Sequence, residues 1–385
     1  MKRYGTAESV TEGHPDKVCD LIADTVLDAC LMEDAEAHVA CEVLATKGYI
    51  LVAGEISGSC DPDIKALARK VLEQVGYESG RFEIQVRVHR QSPDIAKGIQ
   101  LSLEKREDPH VRKAKEMGAG DQGIMTGYAC RETPEMMPLP VILARRITRE
   151  LGAARNSRYI EGLGPDGKAQ VTVEYEDGKP VRLDHVIVSC QHEADKYIKQ
   201  LEREIRERVL FPALRPLPAD EDTRILINPA GRFVEGGMDA DTGLTGRKLM
   251  VDTYGGLAPH GGGAFSGKDA SKVDRSGAYM ARYMAKNIVA AGLADRCLVT
   301  LAYAIGMAEP VMVQVDTFGT GTVCADDCLA AATPLVFGLT PQEIIDQFGL
   351  KRPFYRRTAV YGHFGRKEFP WERMDKAEAM RAAVL

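Results

Sequence analysis

Three times along this chain a pair of strand-like runs is followed by an amphipathic helix, and that recurrence limits the fold more than any other feature. "HVACEVLAT" and "YILVAGEIS" flank Lys47-Gly48 and read as a hairpin; "DIKALARKVLEQVG" follows as a helix that Gly76 stops. "QVTVEYEDGKPVRLDHVIVSCQH" reads as a hairpin turning at Asp177-Gly178, and "EADKYIKQLEREIRERVLFPAL" as a helix ending near Pro212. "TRILINPAGRFVEGG" opens a third unit with a strand and a turn, and "GAYMARYMAKNIVAAG" is its helix, closed by Gly292. Hairpins rather than long crossovers give an α+β fold, not a doubly wound parallel sheet. No residue-level repeat accompanies the pattern, so a three-fold likeness rests on the order of elements alone.

"HPDKVCDLIADTVLDACLMED" predicts a helix opening at Pro15, with Val18, Leu21, Ile22, Val26 and Ala29 as its apolar stripe. Asp20, Asp24 and Asp28 fall on the other face and are expected to be solvated. Residues 101–116 are more than half charged, contain a proline and sustain no apolar stripe, which predicts a mobile surface segment at a boundary. The expected division is residues 1–95, a lid at 96–116, a central domain at 117–230 and a C-terminal domain at 231–385.

The net charge of −6 argues against nucleic acid as the main partner, so any cationic site is a local concentration in an acidic whole. The nine cysteines include no C-x-x-C pair, and Cys324-x3-Cys328 has no histidine spaced to complete a zinc site, the pattern of reduced thiols. The first residues lack an apolar signal core, and the uncharged run from Cys297 to Ala308 is too short for a bilayer. A soluble, cytoplasmic protein is expected.

"GGGAFSGKDASKVDRS" (261–276) is the densest chemical signal. Gly262-x4-Gly267-Lys268 nearly spells a phosphate loop, and "KLMVDTY" read as a strand, with a helix over 274–291, would supply its context. Yet Asp269 stands where that motif needs a hydroxyl for Mg²⁺. A true phosphate loop, a structural glycine turn and a polyphosphate site of another plan all remain open; the other cations favour the last. "GHPDK" puts His14 at a helix cap, Pro15 at the first position and Asp16 in the first turn, a place to hold phosphate and a hard cation together. "TGRKL" adds Arg247 and Lys248, and "PDGK" adds Lys168.

"ESVTEGHPDK" (8–17), "GAGDQG" (118–123) and the glycine-rich stretch resemble, in order, the three signatures of S-adenosylmethionine synthetases of bacterial and eukaryotic type. "QSPDI", "PDGKAQV", "NPAGRFVEGG", "DTGLTGRKL" and "YGHFGR" fit as well, so the likeness runs from Glu8 to Trp371. It implies three similar domains of sheet and helix in pseudo-three-fold arrangement. It also implies a reaction in which the sulfur of L-methionine displaces triphosphate from C5′ of ATP, with the triphosphate then hydrolysed to phosphate and pyrophosphate. His14 would stabilise the leaving group, and Lys168, Arg247, Lys248 and Lys268 would bind the phosphate chain near Ala264. Asp16 and Asp274 would hold two Mg²⁺ ions, and Glu42, a carboxylate in an apolar stretch, would bind K⁺ unless it simply faces solvent. Asp121, Asp166, Asp241, Arg232 and Phe233 would hold the nucleotide, Phe233 by stacking. Glu55, Asp241, Lys272 and Gln91 would meet the charged ends of methionine. The family further implies a homodimer or homotetramer with active sites shared between subunits.

Two rivals stay in view: a phosphate-loop kinase or ATPase, which would yield ADP, and a non-catalytic ATP-binding subunit, which would yield nothing. The segment after "QSPDI" looks longer and more charged than in the family, where it forms a lid, and "GYESGRFEIQVRVHR" before it looks shorter. Shortening residues 101–113 is therefore expected to change the turnover number more than ATP affinity; an unaltered kcat beside equilibrium ATP binding would refute this.

Overall fold

The computed structural model describes residues 2–92 and 99–385; residues 93–95 of "QSPDI" and 96–98 of the expected lid lie outside the described residues. Among them, β1 (Lys2–Val10) leads into α1 (Pro15–Glu33), capped by His14 with Pro15 at its first position, as expected. β2 (His38–Thr46) and β3 (Tyr49–Ser57) form the first hairpin, in register from His38↔Ser57 to Thr46↔Tyr49. α2 (Ile64–Val75) begins where Asp63 accepts the Ala66 N–H and ends at left-handed Gly76 (φ 94°). It returns the chain to β4 (Glu83–His89), parallel to β3, so this sheet is mixed rather than purely hairpin-built.

β5 (Gly123–Cys130) and α3 (Leu139–Asn156) precede the long second hairpin, β6 (Leu163–Glu176) and β7 (Lys179–His192). Its turn has positive φ at both Asp177 (49°) and Gly178 (80°), the backbone that a two-residue hairpin of matching twist requires. α4 (Ile198–Ile205) runs on as a π-turn through Leu210 to a last helical turn at Phe211–Ala213, next to Pro212 as expected. β8 (Arg224–Ile227) lies parallel to β7. The C-terminal part supplies β9 (Gly243–Leu244), α5 (Val273–Ala290), and β10 (Arg296–Tyr303) with β11 (Met312–Asp316).

The strands assort into three sheets, ordered β4-β3-β2-β9, β1-β6-β7-β8 and β11-β10-β5. Each takes one strand from a distant part of the chain. β1 pairs with β6, β5 with β10, and the two-residue β9 with β2, so the three segments are interlocked. Every borrowed strand covers a sheet edge that would otherwise present unpaired backbone groups. There are two apolar cores. One fills the central sheet under α3 and α4; the other joins α1, the first sheet, α5 and the C-terminal helices.

Two expectations fail. "KLMVDTY" is no strand: Leu249–Asp252 is a single helical turn. Arg145 of α3 gathers the carbonyls of Val251 (3.1 Å), Asp252 (3.3 Å) and Thr253 (2.6 Å), which an extended strand would aim alternately to opposite sides. The aspartates of α1 are not a solvated stripe either. Asp20 and Asp24 are fully buried, and the row including Asp16 and Asp28 catches backbone N–H groups from distant loops. Asp16 accepts from Leu244 (3.0 Å), Asp20 from Gly246 (2.9 Å), Asp24 from Gly267 (2.8 Å), and Asp28 from Tyr355 (2.8 Å) and Arg356 (2.9 Å). A carboxylate leaves water when enough donors replace the water it loses.

The charged segment at 101–116 also has partners. Leu103 N–H donates to Gly306 (2.9 Å), and Glu104, in the short helix Leu103–Glu107, accepts from Ala308 and Glu309 (both 3.0 Å). Lys115 pairs with Glu309 at 2.8 Å.

Asp24 also receives both terminal nitrogens of Arg275 (2.7 and 2.9 Å), with neither side chain exposed. Asp24→Ala would strand a buried guanidinium and is expected to cost about 3–5 kcal/mol in denaturant unfolding. Lys47→Ala, which breaks only an exposed pair with Glu235, should stay within about 0.5 kcal/mol.

Candidate active site

The glycine-rich loop answers its own puzzle by close packing. A Cβ on Gly261 would lie 1.6 Å from the Ile124 carbonyl oxygen, and one on Gly263 would lie 2.2 Å from Asp274 Oδ1. The loop therefore presses its backbone against β5 and against the first turn of α5, which only glycine permits. With no strand before it, it is not a phosphate loop. Asp269 turns inward instead: its oxygens accept from the N–H groups of Val39 (2.7 Å) and Ser271 (2.9 Å), and Lys272 donates to it. Lys272, then His38, hold this buried carboxyl well below the usual range against the cost of burial.

The expected site residues fall into two groups within one chain. The first surrounds the start of α1. Lys248 Nζ lies 2.5 Å from Asp16 Oδ2, and Arg247 Nε lies 3.9 Å from Asp16 Oδ1. Lys168, on β6, pairs with Glu8 of β1 at 2.6 Å, and the register Val10↔Lys168 brings it beside the start of α1. Asp166 accepts the Gly237 N–H at 2.9 Å; burial, with help from nearby Asp241, raises its carboxyl to about 6. Asp241 is close enough to His14 to act on it electrostatically, and its own Oδ1 accepts the Thr242 N–H (2.8 Å). Phe233 is tied by its N–H to His192 Nε2 (3.0 Å), and Arg232 donates to the Ala194 carbonyl (3.0 Å).

His14 itself is informative. Its Nδ1 accepts the Asp16 N–H at 3.2 Å, which in the neutral ring leaves the proton on Nε2 as an outward donor. Burial, then the charge of Lys248, lowers its pKa to about 4, so the ring is neutral at pH 7.

The second group lies along the first sheet. Lys268 bridges to β2 at Ala40 and pairs with Asp274 at 2.5 Å. Glu42 and Glu55 share the outer face of that sheet, since Ala40 is opposite Glu55 and Glu42 opposite Ala53. Glu42 is exposed, as its solvent-facing alternative allows; partial desolvation by the surrounding protein nonetheless raises its carboxyl, with Lys268 opposing and Glu55 adding to it. Glu55 pairs with His89 at 3.2 Å, and the Gln91 N–H donates to Ser57 Oγ (3.0 Å). Asp121 is exposed and accepts the next N–H (2.8 Å). A cavity of about 1020 Å³ opens beside this group, lined by Ser57, Asp269 and Ser271, by Lys113 and Glu116 of the charged segment, and by Met117 just after it.

Among the described residues no hydrogen bond or ion pair joins the two groups, although their loops meet where a Cβ on Gly246 would lie 2.5 Å from that of Ala264. Nor do three or more His, Cys, Asp or Glu side chains converge as a metal cage. What sequence reading missed is the support beneath: Lys17 between Asp20 and Asp252, and Arg275 under Lys268. The only sequence signal for it was the four-residue spacing of the α1 aspartates.

Interlocked α+β sheets, a glycine loop packed on a helix start, and Lys248 and Lys268 paired to the first-turn carboxylates Asp16 and Asp274 define a three-sheet protein with cations gathered at two helix starts. Family models for the N-terminal, central and C-terminal domains of S-adenosylmethionine synthetase match residues 2–96, 116–233 and 235–373. The chain belongs to the S-adenosylmethionine synthetase family. It is 51% identical to the S-adenosylmethionine synthase of Treponema denticola over 99% of this chain and 98% of that one.

The His14 geometry makes a pH prediction. Unfolded, the imidazole protonates near 6.5; folded, only near 4, so its contribution is full above 6.5 and is lost as pH falls toward 4. Relative to His14→Asn, the wild-type chain is expected to lose about 2–3 kcal/mol of stability across that window, read by denaturant unfolding; parallel curves would refute it.

Proposed function

We propose that this chain makes S-adenosylmethionine from ATP and L-methionine, by attack of the thioether sulfur on C5′ of ATP and hydrolysis of the bound triphosphate to phosphate and pyrophosphate. Family membership, with the intact signatures, supports the reaction; the observation that carries the mechanism is the pairing of every candidate phosphate-binding lysine with a carboxylate.

A thioether sulfur carries no proton, so the first step needs no general base. It needs alignment and a sink for the charge of triphosphate, about four negative charges in a partly dry cleft. In the free chain Lys248, Lys268 and Lys168 rest against Asp16, Asp274 and Glu8. Arriving phosphates compete for the ammonium groups, and Arg247 adds a planar donor beside them. His14, neutral and with its proton on Nε2, donates a hydrogen bond to the leaving oxygen without a prior proton transfer. Asp166 and Asp241, with Arg232, Phe233, Asp121 and Ala264, hold the nucleotide; Glu55, Gln91, Lys272 and Asp241 receive methionine.

The released carboxylates of Asp16 and Asp274 are hard oxygen donors, suited to two Mg²⁺ ions that take most of their remaining ligands from phosphate and water. When bound, those ions neutralise developing charge on the triphosphate. Glu42 is the candidate K⁺ ligand. Because the two groups are separate in one chain, the complete site is assigned to a dimer, or a pair of dimers, in which one subunit's first group faces its partner's second. The nine cysteines are all unpaired thiols, which supports a reducing compartment, the cytoplasm, as the place of action.

Incubation with ATP, methionine, Mg²⁺ and K⁺ should yield S-adenosylmethionine with phosphate and pyrophosphate; ADP alone would favour a kinase, and no turnover a binding subunit. Lys268→Ala should lower kcat at least about a hundredfold. Its partly exposed pair with Asp274 is worth only about 0–1 kcal/mol, so the melting temperature should barely move.

A further inference from the structure

"YGHFGR" (361–366) is the one family-like motif that the proposed reaction leaves without a task. Its first and last residues, Tyr361 and Arg366, line a cavity of about 60 Å³ together with Glu135, Arg145, Arg146 and Arg149. Four guanidinium groups in one small space are unusual in a chain of net charge −6. Two of them have carboxylate partners: Arg146 with Glu135 at 3.4 Å, and Arg366 with Glu368 at 2.8 Å. Arg149, exposed on α3, has no ion pair among the described residues, and Arg145 meets only carbonyl oxygens. Asp252 and Glu372 act on Arg145 from its buried side, so Arg149 is the guanidinium of this cluster that has no carboxylate partner among the described residues.

The polar atoms are unmatched too. Arg145 is 5% exposed; its terminal nitrogens are taken, and its Nε has no partner. Glu135 Oε2 on the same wall also lacks one. Buried donors without a partner are uncommon in native proteins and call for a further one, a water or a bound group. Arg149 and Arg357 repel Arg366, which, after burial, lowers its pKa, the condition that a bound anion relieves. Tyr361 holds a left-handed backbone (φ 61°), costly for a bulky aromatic, and its hydroxyl reaches toward Gly152 and Glu12, two residues before His14.

We propose that this cavity is a binding site for a small inorganic oxyanion of the phosphate class, carrying two negative charges, separate from the catalytic groups. Its size suits a free oxyanion. Arg149 supplies the unpaired charge, Arg145, Arg146 and Arg366 add to the positive field, and a protonated phosphate oxygen can donate to Glu135. Arg149 is a binding residue there, and it takes no part in the proposed reaction.

The test is calorimetric titration of inorganic phosphate into the full chain without Mg²⁺. Arg149→Gln should weaken one class of sites at least about tenfold, the loss of one charge-assisted hydrogen bond. Lys268→Gln, which impairs the catalytic groups, should retain that class, and Arg149→Lys should restore it in part. Arg149→Gln should form S-adenosylmethionine at the wild-type rate in phosphate-free buffer, with an unchanged melting temperature there. An Arg149→Gln isotherm superimposable on wild type, or loss of all phosphate binding in Lys268→Gln, would overturn the site whatever the outcome of the S-adenosylmethionine assay.

Discussion

The rest of the structure depends on a row of four aspartates, one helical turn apart on α1, each accepting a backbone N–H from a loop far away in sequence. A loop rich in glycine has no side chains with which to anchor itself and carries a high entropy cost of ordering. Here the anchors come from the helix. Leu244, Gly246 and Gly267 sit beside Arg247, Lys248 and Lys268, so the carboxylates that fix the loops also fix the cations that those loops carry. Arg275 beneath Asp24, and Lys17 between Asp20 and Asp252, keep the buried acids neutralised.

That arrangement separates support from chemistry. The supporting pairs are fully buried, where breaking them is expensive. Lys168, Lys248 and Lys268 keep part of their side chains open, in pairs that a stronger anion can displace. A neutral His14 fits the same logic. A protonated imidazole among Lys248 and Lys168 would add repulsion, whereas a neutral ring with a fixed tautomer offers a hydrogen bond at no such cost.

Much of the local structure was legible. Lys47-Gly48 and Asp177-Gly178 marked their hairpins, and Gly76, Pro15 and Gly292 marked helix ends, because caps and turns are decided by a few adjacent residues. "KLMVDTY" was misread because an apolar run of that length suits a strand or a helical turn equally, and Arg145, about a hundred residues away, decided it. The α1 aspartates were misread for a related reason. A period of four residues tells which side chains share a face but not whether water or a loop covers that face.

The sequence by itself determined most of the element types, the signature residues and hence the family, since these live in short stretches whose chemistry is local. Only the tertiary structure decided that β1, β5 and β9 leave their neighbours to close other sheets, that the acids of α1 are buried, and that the candidate site is divided into two groups in each chain. Those outcomes rest on desolvation and backbone pairing between residues hundreds of positions apart, and the free energy of such contacts belongs to neither partner's local sequence.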